Sequence, residues 1–300
     1  MKARVAFLGP RGTFTEEAAR LFPIEEPLDF HPYPSILDVL NAVHHGEAAY
    51  GVVPLENSIE GTINTTLDWL IHEVDLPIHA EIAIPITQHL LVAARPEPLP
   101  LAQIRKILSH PHAVAQCHNF IKANLPHAEI EYTNSTASAA QLVSSRPEEP
   151  WAAIGTRLAT KIYPLMFARQ NIQDYANNYT RFVLVGKTAP VLRASIEEKT
   201  TILVTLPEDF PGALYQVLAA FAWRKVNLSR IESRPTKKGL GSYHFVIDIE
   251  QRMDDVLMPG AFAEIEALGC QVRQLGTYPL YIEGRVSEAH ANVPQANGTE

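Results

Sequence analysis

The sequence predicts an α/β protein of two lobes around a cleft, followed by a smaller α/β unit. Three observations carry this. Up to about residue 186, short apolar β-type runs alternate with helix-type stretches. Residues 187–198 then form a polar linker. Beyond it the order is strand, helix, strand, strand, helix, strand within about 80 residues. A chain of 300 residues exceeds one ordinary core and suits two or three packed units.

Residues 5–8 read as the first strand, and Gly9-Pro10-Arg11-Gly12 as the turn after it. Thr13 starts a helix, with Glu16 three residues on as its capping-box partner. Residues 50–53 form a second strand ending at Pro54. After Gly61, Ile63, Leu67, Leu70 and Ile71 recur at helical spacing. Residues 78–84 and 87–93 are β-rich runs split by Pro85, and the proline-rich 95–100 is a stiff connector. Strands follow at 106–108, 130–133 and 152–154, each leading into a helix, and 182–185 returns to a strand. The economical arrangement is one lobe of residues 1–77 with 164–186 and a second of 78–163, with ligand bound between them. In the last unit, 200–206, 228–234, 243–249 and 271–275 are strands, and 211–224 and 261–268 are helices. This βαββαβ order is ferredoxin-like over residues 199–279. The tail, 280–300, is polar and expected to fray.

Composition narrows the function. Hydrophobic residues make up 46% and charged residues 19%, a globular balance, and the formal charge of −8 argues against nucleic acid as main partner. No run of 18 apolar residues spans a membrane. Two distant cysteines, Cys117 and Cys270, and no signal-peptide pattern at residues 1–8 point to a reducing, cytoplasmic setting.

Four segments can carry chemistry. The turn at 9–12 feeds a helix N-terminus suited to an anion, but it has neither dinucleotide nor Walker spacing; a plain strand–turn–helix corner is the alternative. Glu56-Asn57-Ser58 follow a buried strand, where α/β ligands bind; Ser58 alternatively caps the next helix while Asn57 stays free for ligand. His110, His112 and His118 lack metal-ligand spacing, and Cys117 reads as a buried structural thiol, leaving Ser109 and Gln116 as ligand-orienting groups. Asn177-Asn178-Tyr179-Thr180-Arg181-Phe182 is the least ordinary stretch, with a guanidinium fork for a carboxylate and a hydroxyl donor at a strand entry.

At these residues the chain resembles the prephenate dehydratases over roughly residues 4–279. The matching segments are 9–14, 54–58, 109–111 with 116–117, 134–140 and 178–182. The C-terminal unit resembles an ACT domain through 212–214, 227–235 and 276–279. The resemblance implies a two-lobed catalytic domain with a periplasmic-binding-protein-like fold. It implies conversion of prephenate to phenylpyruvate, water and carbon dioxide with no cofactor and no metal. It assigns catalysis to Thr180, Asn57, Gln116, Ser109 and Glu56, and substrate binding to Arg181, Gly12, Thr13, Ser58, Ser135, Thr136 and Phe182. It places inhibitory L-phenylalanine at Gly212, Ala213, Leu214, Asn227, Glu232, Ser233 and Arg234, in a homo-oligomer of two or four subunits. With no helical segment before Val5, a monofunctional enzyme is expected. Arg181 either holds a substrate carboxylate or points away, since adjacent strand residues face opposite sides. The competing readings are an arogenate dehydratase and a non-catalytic small-molecule sensor.

Overall fold

The computed structural model describes residues 2–97, 99–195, 197–208, 210–237, 243–253 and 256–283. Strand β1 (Ala3–Leu8) has Val5, Ala6 and Phe7 shut off from solvent, so it needs strands on both edges and helices on both faces. The helices are α1 (Phe14–Leu21) and α2 (Ile36–His44), and β2 (Leu28–Tyr33) and β3 (Tyr50–Asn57) pair parallel to β1. Helix α1 starts as the sequence predicts. Thr13 Oγ1 accepts the Glu16 N–H at 3.3 Å, but the returning Glu16 carboxylate takes the N–H of Gly12, at 2.7 Å, one residue early. Gly12 can offer it because its φ of +90° is costly for any residue with a Cβ. A short strand β4 (Gly61–Thr62) folds back on β3 and leads into α3 (Asn64–His72).

The lobe boundary differs from the sequence expectation. Strand β5 (Ile78–Pro85), expected in the second lobe, completes the first sheet. The second sheet contains β6 (His89–Ala93), β7 (Lys106–Ser109), β8 (Glu129–Tyr132), β9 (Trp151–Gly155) and β10 (Leu165–Arg169), in the order β10-β6-β9-β7-β8. Its helices are α4 (Pro111–Gln116), α5 (His118–Asn124), α6 (Thr136–Ser145) and α7 (Ala159–Ile162). Strand β11 (Tyr179–Gly186) then returns to lie antiparallel between β3 and β5. Pro85, read from sequence as a break inside a lobe, ends the ladder where the chain crosses, because it has no N–H to extend it. The two crossing segments bond to each other, Ile86 N–H to Asn178 C=O and Ile172 N–H to Gln88 C=O, both at 2.8 Å.

The C-terminal unit contains β12 (Glu198–Thr205), α8 (Ala213–Ala222), β13 (Leu228–Pro235), β14 (Tyr243–Ile249), α9 (Leu257–Ala267) and β15 (Gln271–Ile282). The spatial order β15-β12-β14-β13 is the expected ferredoxin-like sheet. Alternation gives it two buried faces. Ile202, Val204, Ile247 and Ile249 pack under α8 and α9, while Leu203, Val246, Leu275 and Tyr278 join the core of the first lobe. Helix α9 begins four residues before the predicted start, because Pro259 and Gly260 fit a first turn and Met258 is fully buried.

The expected tail is also corrected. Leu280–Ile282 run parallel to β5, and Tyr281 is buried with its hydroxyl donating to Arg193 C=O. This covers a β5 edge that would otherwise stand open. Strand β15 therefore switches partner from β12 to β5. At the crossing a Cβ on Gly276 would lie 2.3 Å from Ile78 O, so only glycine fits. The rest of the expected tail, residues 284–300, lies outside the described residues. The linker, expected to be merely polar, is pinned at Leu192, which bridges Ile24 and packs on the first lobe.

Candidate active site

An open cleft of about 260 Å³ lies between the two lobes. The first lobe contributes the end of β3, the start of β11 and the start of α1; the second contributes the starts of α4 and α6. At its centre Asn57 and Thr180 are register partners on adjacent strands. Asn57 Oδ1 accepts the N–H groups of Ile59 and Glu60, each at 3.0 Å, which fixes the amide's orientation. Its Nδ2 must then face β11, where it donates to Asn178 Oδ1 and to Thr180 Oγ1, both at 2.8 Å. From sequence, Asn57 is free for ligand; in the structure both ends of its amide are engaged within the first lobe, and one amide hydrogen holds Thr180. Because Thr180 Oγ1 receives a hydrogen here, its own hydrogen is left to point elsewhere, and the residue lines the cavity. Donation into the hydroxyl oxygen also makes its O–H the better donor.

Ser58 does not cap a helix. Its Oγ accepts the Tyr179 N–H at 2.9 Å and donates to Asn177 C=O, tying the turn after β3 to the entry of β11. The next helix begins only at Asn64, with Ile63 as a cap lacking a side-chain bond. Thr13, Ser135 and Thr136 line the cavity. Thr13 and Ser135 cap α1 and α6, turning two helix N-termini toward the site. Gly12 lies behind this wall, its C=O accepting from Thr156 Oγ1 of the second lobe at 2.8 Å.

Gln116 is at the cavity, in a relay the sequence did not reveal. His112 Nδ1 lies 2.9 Å from Glu60 Oε1 across the cleft. Gln116 Nε2 donates to the same Glu60 oxygen at 3.4 Å, and its Oε1 accepts from Gln88 Nε2 at 3.2 Å. Sequence reasoning gave no role to Glu60, Gln88 or His112, and Asn178 stood in the singled-out stretch 177–182 without a role of its own. Gln88 lies on a crossing segment, in the polar stretch Thr87-Gln88-His89 between two apolar strands. Burial and the neighbouring His112 push the His110 imidazole below its ordinary pKa, so it stands neutral at the cavity wall.

Four expected site residues are turned elsewhere. Ser109 is fully buried and donates to Ile154 C=O at 2.8 Å. Phe182 packs into the first lobe's core with Phe7 and Val52. Arg181 is the clearest correction, because β-strand alternation turns it to the face opposite Thr180. Its Nε and Nη2 grip Glu81, each at 2.7 Å; Nη1 meets Glu56 at 2.5 Å, and Nη2 also reaches Asp248 of the C-terminal unit at 2.9 Å. Burial alone would lower the Arg181 pKa, but Glu81 and Asp248 outweigh it and hold the guanidinium charged. Glu56 is accordingly Arg181's partner behind the sheet. Burial pushes the Cys117 thiol up to about 12, so it is no nucleophile at neutral pH.

The expected phenylalanine-binding set also divides. Gly212, at φ +92°, precedes α8, with Ala213 and Leu214 in its first turn. Asn227 bonds Glu250, and Ser233 lies exposed. Glu232 and Arg234 point the other way. Glu232 Oε2 accepts from Thr62 Oγ1 at 2.8 Å, and Arg234 donates to Asp68 and Asn64 of α3. The cause is a bulge between Leu228 and Arg230, which reverses the alternation of β13.

Fold and site together define a two-lobed α/β cleft protein whose C-terminal ferredoxin-like unit is bonded to its first lobe. Residues 5–190 match the family model described as prephenate dehydratase, and residues 200–258 match the ACT domain. A prephenate dehydratase of Bacillus subtilis (strain 168) is 46% identical over 284 residues, covering 93% of this chain and 99% of its relative. The crystal structure of a prephenate dehydratase from Arthrobacter aurescens in complex with L-Phe has a TM-score of 0.78 at 37% identity, covering 92% and 90% of the two chains. GqqA, described as a novel type of quorum quenching acylase, also has a TM-score of 0.78, at 27% identity, covering 92% and 98%. The chain belongs to the prephenate dehydratase family. It is a carbon–oxygen lyase with a C-terminal ACT domain, and among the described residues no helix is long and apolar enough to cross a membrane.

Proposed function

We propose that this enzyme converts prephenate to phenylpyruvate by decarboxylating dehydration, with Thr180 as the donor to the departing hydroxyl. The observation that carries the reading is the one-way bond from Asn57 to Thr180, which leaves the Thr180 hydrogen for a ligand in the cleft. The C–C bond to the ring carboxylate breaks, its electron pair enters the ring, and the C–O bond at the opposite ring carbon breaks. A proton ultimately supplied by solvent completes water, and carbon dioxide leaves. Aromatisation drives the step, so the enzyme's task is to orient the dianion and assist one leaving group. Capped N-termini of α1 and α6, around Thr13, Ser135 and Thr136, support binding of the carboxylates that stay ionic. Phe14, Ile63, Ile86 and Ala113 supply apolar wall, which favours loss of charge as carbon dioxide. Gln116 orients substrate, and Ser58 holds the catalytic turn.

For regulation, the reading has L-phenylalanine inhibit from the ACT domain, using the α8 N-terminus with Gly212, Ala213, Leu214, Asn227 and Ser233. Exposed Tyr215 on α8 and Trp223 just after it support pairing of two ACT domains in a homo-oligomer. The enzyme acts in the cytoplasm. An acylase reading fits the site less well, since Thr180 has an amide donor beside it rather than a base, and Cys117 is protonated. The test is purified protein with prephenate, with and without phenylalanine, scored for phenylpyruvate, with arogenate as a second substrate. Prephenate returned unchanged would refute the reading.

A further inference from the structure

The strands that present the catalytic pair to the cleft are gripped from behind by the ACT domain. Register pairs Thr180 with Asn57 and Arg181 with Glu56, so each catalytic side chain has a charged neighbour on the reverse face. On that face Arg181 joins Glu56 and Glu81 of the catalytic domain to Asp248 of the ACT domain. Asp248 is fully buried, and its other oxygen accepts from Thr201 Oγ1 at 2.8 Å. The second grip is on the turn that carries Asn57. Glu232 accepts from Thr62, and Thr62 is the β4 register partner of Glu56.

Arg230 supplies an alternative partner. Its side chain is 10% exposed, and none of its three guanidinium nitrogens makes a hydrogen bond, although Nε lies 3.5 Å from Asp248 Oδ2. A buried guanidinium in this condition gains by acquiring a hydrogen-bonded carboxylate. The oxygen it faces is the one Arg181 holds at 2.9 Å. If Asp248 shifts to Arg230, Arg181 keeps Glu56 and Glu81 but loses its tie to the ACT domain. The exchange creates no unpaired charge, which is what a two-state element requires.

We propose that Asp248 and Glu232 are positioning residues for Thr180 and Asn57, and that exchange of Asp248 between Arg181 and Arg230 carries the state of the ACT domain to the active site. This rests on the dehydratase reading and names the route of its regulation. Five full-length proteins test it: wild type, Arg230→Met, Asp248→Asn, Asp248→Glu and Glu232→Gln. Each is measured for kcat and KM on prephenate, for half-inhibiting phenylalanine, and for phenylalanine affinity by calorimetry. Arg230→Met should keep basal kcat and KM while moving half-inhibition by about tenfold, the usual scale of a coupling between sites. Asp248→Asn should lower kcat with KM held, a split that a merely structural carboxylate would not give, and Asp248→Glu should restore part of it. Glu232→Gln is the second variant if Asp248→Asn does not fold.

Folded variants with wild-type kcat, inhibition and phenylalanine affinity would overturn the inference. A wild type that binds phenylalanine but leaves prephenate unchanged would instead sink the dehydratase reading. The exchange would then be judged on affinity alone, standing if Arg230→Met shifts it and falling if it does not.

Discussion

Replacing Asn57 by aspartate tests the polarity of the catalytic bond with almost no change of shape. The introduced carboxylate keeps the two bonds accepted from Ile59 and Glu60 N–H, so the turn survives. It cannot donate, so the bonds to Asn178 Oδ1 and Thr180 Oγ1, both 2.8 Å in the native protein, are lost as they stand. Thr180 then donates to the new carboxylate, a stronger charge-assisted bond, and its hydrogen is withdrawn from the cleft. Removing one preorganised donor of this kind costs about 100–1,000-fold in kcat, or roughly 3–4 kcal/mol. The folding cost is smaller, about 1–3 kcal/mol for rearranged buried hydrogen bonds. The assays are phenylpyruvate release at saturating prephenate and a thermal melt. Protonating the introduced carboxylate gives it a donor again, so the Asn57→Asp variant should recover part of its relative activity as pH falls. A variant within threefold of wild-type kcat would refute the argument that Asn57 sets the direction of the Thr180 hydroxyl.

Other predictions follow from single features. Burial pushes the Glu17 carboxyl up to about 7, with Glu283 adding to the rise and Lys161 and Arg157 opposing it. The folded chain thus keeps a proton that the unfolded chain releases near its ordinary pKa, so stability falls as pH rises through about 4.5 to 7, by at most about 3 kcal/mol. Glu17→Gln should flatten that slope and raise the melting temperature at pH 8; an unchanged pH profile would count against it. Glu60→Gln weakens the contact with His112 between partly exposed groups across the cleft mouth, so KM for prephenate should rise by no more than about fivefold with kcat kept. A fall in kcat at saturating prephenate would give Glu60 a chemical role instead. Tyr281→Ala should destabilise the protein by about 3 kcal/mol in a urea titration, because the ring is buried and the strand around it closes the β5 edge. A frayed tail would show almost no change.

What could be read from the residues was local; what could not was partnership. Thr13 with Glu16 announced a helix start because capping is a contact over three residues. The five cleft segments were recognisable for the same reason, as each is continuous in sequence. The apolar run 78–85 signalled a strand but not its neighbours, and only the pairing with β11 places it in the first lobe. Asn57 looked free because its partners lie more than 120 positions away. Arg181 was more nearly decidable, since strand parity forbids it and Thr180 from sharing a face. Parity failed at β13, where the bulge before Arg230 has no sequence signature and sends Glu232 and Arg234 to the catalytic lobe. Ser109 shows the remaining limit, because a serine at a strand end serves a ligand or a carbonyl equally well, and here it serves Ile154.

The most direct test of the account is Thr180→Val, which removes the hydroxyl and keeps the branched shape. Turnover of prephenate under saturation should fall by about 100–1,000-fold, with the melting temperature within a few degrees of wild type. A folded Thr180→Val enzyme that releases phenylpyruvate at near wild-type rate would contradict it.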